Sequence, residues 1–101
     1  MSKVGERVGA ILSADEAGVR FLGYGKFEGE FVPPKEIGGL GVFLNELNLP
    51  NTKIALDNGK VVWGCECWWA PEEEMKQKIA GAVLKGTPII NTDIDVARLE
   101  S

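Results

Sequence analysis

A chain of 101 residues with 45% hydrophobic and 26% charged side chains has the make-up of one soluble domain spanning 1–101, since single cores are built from roughly 100–150 residues. Eleven Lys+Arg against fifteen Asp+Glu give a net charge of −4, which leaves no excess of cations for a phosphate backbone and argues against generic DNA or RNA binding. The chain has no histidine, so the side chain most often used for acid–base work and for metal ligation is missing.

The first apolar run, residues 8–12, is interrupted by Gly9 and is too short for a membrane span or the apolar core of a signal peptide. No membrane association is expected. Cys65 and Cys67 are separated by one residue and cannot staple a long loop, so a reducing, cytoplasmic setting is expected.

In chain order, residues 7–14 (RVGAILSA) and 19–27 (VRFLGYGKF) are two β-prone runs joined by a polar loop that ends in Gly18, a hairpin pattern. Pro33 and Pro34 then stop regular structure. The connector 35–50 holds Gly38, Gly39 and Gly41, and its apolar stretch 42–49 predicts one or two helical turns that close before Pro50. A second hairpin is expected over 52–69, with Asn58-Gly59 at the turn because both residues tolerate positive φ. Its second arm reads as one continuous strand, 60–69 (KVVWGCECWW). A helix is predicted over about 71–85: Pro71 suits its start, Glu72, Glu73 and Glu74 face the positive end of its dipole, and Gly86 suits its end. Met75, Ile79, Ala82 and Val83 form its core-facing stripe. Residues 88–91 read as a strand. Residues 92–99 fit two patterns, an alternating strand or a short helix with Thr92 and Asp95 at capping-box spacing.

The expected fold is therefore α+β: a small bent antiparallel sheet or partly open β-barrel of four to six strands, with the 71–85 helix on one side or across an open end.

If 60–69 is a single strand, Cys65, Cys67, Val61, Trp63 and Trp69 share one face, while Glu66 and Trp68 share the other with Gly64. Trp68 is then the tryptophan expected to be exposed. A ring that can stack on a planar ligand, a carboxylate that can accept hydrogen bonds and a glycine that permits close approach make a plausible platform. Arg20, Tyr24 and Lys26 fall on one face of the second run and would supply charge recognition. The two thiols are more simply packed as small hydrophobes, since structural zinc normally needs four ligands and the setting lacks the helix N-terminus that lowers a cysteine pKa. The glycines at 23, 25 and 29 lack the spacing and the following helix of a phosphate-binding loop. Asn91, Asp93 and Asp95 lack the pattern of a calcium loop.

The functional expectation is a non-catalytic binding module without a cofactor, homo-oligomeric, taking a small planar or nucleotide-like ligand at Trp68, Glu66, Arg20, Lys26 and Tyr24. A sequestering protein encoded by a phage or its host would fit. Two alternatives are a protein–protein interaction subunit or inhibitor, and a thiol-based redox or metal enzyme using Cys65 and Cys67.

Overall fold

The computed structural model describes residues 3–100. Strands β1 (Arg7–Asp15) and β2 (Gly18–Phe31) form the first hairpin. Asp15 closes it, its Oδ1 accepting the N–H of Ala17 at 2.9 Å and of Gly18 at 3.3 Å, the local bonding that suits aspartate to turns. A 3₁₀ turn (Lys35–Ile37) and helix α1 (Gly39–Glu46) occupy the connector. Strand β3 (Asn51–Leu56) then pairs antiparallel with β2, and β4 (Val61–Trp63) pairs with β3.

The turn between β3 and β4 falls at Asn58-Gly59 as expected, but the two residues do not both take positive φ. Leu56 N–H bonds to the Lys60 carbonyl at 2.8 Å, enclosing three residues. Only Gly59 takes a positive φ, at +87°, while Asn58 contributes its side-chain oxygen to the Lys60 N–H at 2.9 Å. This is the three-residue hairpin loop that ends on a left-handed glycine.

The single strand expected over 60–69 is broken. After β4 the chain winds through a 3₁₀ turn (Gly64–Glu66), and β5 (Trp68–Pro71) pairs with β1 rather than β3. The sheet order is β4-β3-β2-β1-β5, so two segments close in sequence lie on opposite edges. In a flat sheet those edges would stand roughly 19 Å apart. The link between them, partly wound at about 2 Å per residue, reaches only about 14 Å. The sheet must therefore bend, and the expected α+β fold with a bent sheet is the one observed.

Helix α2 (Glu72–Leu84) lies on the convex face. A Cβ at Gly9 would sit 2.6 Å from Met75 Cγ and 3.0 Å from Tyr24 Cδ1, so the missing side chain is what lets the helix approach the sheet. Of the predicted stripe, Met75 is buried and Ile79 and Ala82 are half-buried, but Val83, about 80° round the helix from Met75, is exposed. Strand β6 (Ile89–Asn91) runs parallel to the first half of β2. The ambiguous tail is helix α3 (Ile94–Glu100), capped by Asp93 rather than Thr92: Asp93 Oδ1 accepts the Asp95 N–H at 2.8 Å, the usual N-cap bond. Among the described residues there are thus three α-helices: α2 as predicted, α1 where one or two helical turns were expected, and α3 where strand and helix both fitted.

The concave face carries the core. Val8, Ala10, Leu22, Phe27, Ile54, Leu56 and Val62 from the strands close over Ile94 and Ala97 of α3. Among the described residues, no helix is long and apolar enough to cross a membrane.

Candidate functional site

Trp63, Trp68 and Trp69 lie within seven residues but have three different surroundings. Trp63, at the end of β4, is buried. Trp69 packs against the core cluster and stacks on Phe27, ring centroids 5.6 Å apart. Trp68 alternates with it on β5 and is 73% exposed. It borders an open cleft of about 520 Å³ whose walls include Leu12, Leu40, Cys67 and Trp69. A smaller cleft of about 170 Å³ shares Leu12, Leu40, Cys65 and Glu66 with it and reaches Arg98 and Ile94.

Breaking the 60–69 strand overturns the face assignment made for it. Glu66 does not stand beside Trp68 on an outward face: its side chain is only 12% exposed. Arg98 of α3 holds both its oxygens, Nε to Oε2 and Nη2 to Oε1, each at 2.7 Å. Oε1 also accepts the Trp63 N–H at 3.1 Å, and Arg98 Nη2 donates to the Val61 carbonyl at 3.0 Å. One two-pronged ion pair thus ties the last helix to the end of β4 and to the crossing. Gly64 does line the cleft, but its missing side chain first serves the fold, because a Cβ there would lie 3.1 Å from Asn51 Oδ1 and from Thr52 Cβ.

The thiols are held as thiols. Burial pushes Cys67 up to about 12, with Glu66 adding to the shift, and its Sγ donates to the Trp63 carbonyl at 3.4 Å. Cys65 is raised as well, again mainly by burial, and its backbone N–H bonds to Asn51 Oδ1 at 2.8 Å. Among the described residues, no three His, Cys, Asp or Glu side chains gather as metal ligands would.

The cations expected from β2 lie elsewhere. Arg20 pairs with Glu100 of α3 at 3.2 Å, on the concave side. Tyr24 lies on the convex side, against Phe21 edge-on with ring centroids 5.0 Å apart and with Lys76 of α2 above its ring. The alternation that placed them together fails at Gly23, whose φ of +136° marks a break in the strand. Lys26 is exposed and alternates with buried Phe27. It lies opposite Arg7, whereas Trp68 lies opposite Ile11, a separation of roughly 16 Å across the strands. The five residues therefore do not line one small-molecule site within a single chain.

No family model, curated protein or solved structure matches this chain. The chemistry of the cleft is what there is to weigh. It offers one large accessible ring, apolar walls from Leu12 and Leu40, and a carboxylate already neutralised by a guanidinium. Leu40 and Arg98 were missed from the sequence. Leu40 belongs to an i, i+3, i+7 apolar series with Phe43 and Leu47 that could have drawn notice. Nothing local to Arg98 marks it, because its partner Glu66 is 32 residues away.

Proposed function

We propose that the chain is a non-catalytic binding module, working as a homo-oligomer in the cytoplasm, that takes a small planar, nucleotide-like ligand at the Trp68 cleft. The observation that carries the proposal is the exposure of Trp68 at an open cleft while Trp63 is buried and Trp69 is half-buried and stacked on Phe27. An accessible indole suits a flat ring, and one base stacked on an aromatic side chain contributes about 1–3 kcal/mol. Discrimination of the ligand's polar part falls to the Glu66–Arg98 pair in the adjoining cleft, since Arg20 and Lys26 are distant. The thiol-enzyme alternative is disfavoured: a nucleophilic cysteine needs a lowered pKa and access, and both thiols are raised. Two unpaired cysteines suit a reducing compartment.

Adenosine and AMP are the probes that test this. Each should quench tryptophan fluorescence saturably in the parent protein and fail to do so in Trp68→Ala, with the AMP response depending on salt if Arg98 meets the phosphate. Absence of saturable quenching by both probes, or equal quenching in Trp68→Ala, would contradict the proposal.

A further inference from the structure

Helix α1 half-buries Val42 and Leu44 but leaves a second apolar stripe facing outward. At 100° per residue Leu40, Phe43 and Leu47 fall within an arc of about 60°, and each is more than half exposed. The opposite side, which meets the rest of the domain, carries buried Gly41, against which Ile37 packs, and Asn45, whose Nδ2 donates to the Pro33 carbonyl at 2.8 Å. A surface helix ordinarily buries its apolar stripe and shows water its polar side. Here the Asn45 amide is turned inward and Leu40, Phe43 and Leu47 outward, with Leu49 beyond the helix end also exposed.

We propose that a second copy of this chain covers this stripe, the two α1 helices lying antiparallel about a twofold axis. A twofold contact is self-complementary, so Phe43 would meet its own counterpart at the centre, and Leu40 of one copy would meet Leu47 of the other. Two observations favour a second copy as the occupant. Between residues 37 and 52 the only charged residue is Glu46, so an oppositely charged partner finds nothing to complement, and charge depletion with an apolar centre is the character of homodimer contacts. The four apolar side chains leave roughly 400 Å² accessible per chain, which is the apolar share of a contact of about 600 Å² per partner, the lower end of specific interfaces. The inference rests on the homo-oligomer part of the proposed function and names the surface that would serve it. Leu40 also lines the Trp68 cleft, so the contact runs along the cleft's rim, but Trp68 itself is not part of it.

Light scattering after size exclusion, across a concentration series, tests it on the parent, on Phe43→Asp and Leu47→Asp, and on Val83→Asp as an exposed position away from α1. The parent and Val83→Asp should run at twice 10.9 kDa, and both α1 variants, checked for an unchanged circular dichroism spectrum, at half that mass. Either folded α1 variant suffices for the comparison. A parent that stays monomeric throughout would overturn both the homo-oligomer reading and this surface, handing the stripe to a different partner. A dimeric parent whose α1 variants remain dimeric would overturn this surface alone, and a parent of three or more copies would overturn the twofold pairing.

Discussion

Burial, rather than any catalytic setting, governs the cysteines, and Cys67 shows what this does to stability. A thiol whose folded pKa is raised from 9.0 to about 12 favours the folded state fully below pH 9, and that contribution is lost as pH rises from 9 through 12. Lys60, raised by its bonds to Asp93 and Asp95, acts in the same alkaline direction. Replacing Cys67 with Ala removes only the thiol's part. The melting temperature of the parent should therefore fall more steeply between pH 8 and pH 11 than that of Cys67→Ala. Parallel pH profiles would mean that the Cys67 thiol ionises freely within the fold. At the acid end the signs reverse: the Arg7 guanidinium holds Asp57 and Glu72 below their usual range, and Lys60 does the same to Asp93, so these contacts favour folding at neutral pH and fade as the carboxylates protonate. The exposure of Asp57 and Asp93 keeps their effects small, and Glu72, less exposed, carries the larger one.

Among the elements, α3 depends most on a single contact. Ile94 and Ala97 enter the core, and Arg98 fixes the helix by gripping Glu66 and the Val61 carbonyl. Replacing Arg98 with Met leaves a largely buried carboxylate without its partner, a change costing about 2–3 kcal/mol where some solvent access remains. Urea unfolding of Arg98→Met, Glu66→Gln and the double variant should show the pair costing less together than the sum of the singles, because the second substitution removes a charge the first had stranded. Additive costs would mean that the ion pair does not join α3 to the crossing. The same element shows where sequence reasoning stops. Ile90, Thr92, Ile94 and Val96 alternate as a strand would, and the helix is decided by Asp93 capping it and by the room for Ile94 in the bowl of the sheet. The 60–69 run misled for a related reason: its composition is β-prone throughout, and the break at Gly64 comes from Asn51 and Thr52 packing against that backbone, partners some twelve residues upstream. What could be read locally was read, including both hairpins, the start of α2 from Pro71 and its three glutamates, and β6. The platform at Trp68 was half legible, in that the exposure of its ring follows from alternation with Trp69 over the short strand β5, whereas the separation of Arg20, Tyr24 and Lys26 follows from the irregularity at Gly23.

At the scale of the whole molecule, a bent sheet filled from its concave side by α3 and covered on its convex side by α2 buries Leu22, Phe27, Ile54, Leu56, Val62, Trp63 and Ile94. Among the described residues that stay exposed, Leu40 of the outward α1 stripe and Trp68 border the cleft between α1 and the β4–β5 crossing, while Phe31, Val83, Leu84, Ile90, Val96 and Leu99 are scattered over other surfaces. On this account the interior is complete without Trp68, and the indole is available to a ligand. Thermal unfolding of Trp68→Ala beside Trp63→Ala tests that most directly. Trp68→Ala should lie within about 0.5 kcal/mol of the parent, as surface substitutions do, while Trp63→Ala should lose about 3–5 kcal/mol through the cavity it leaves. A Trp68→Ala variant as damaged as Trp63→Ala would contradict the account, because Trp68 would then be part of the packed structure and not a binding surface.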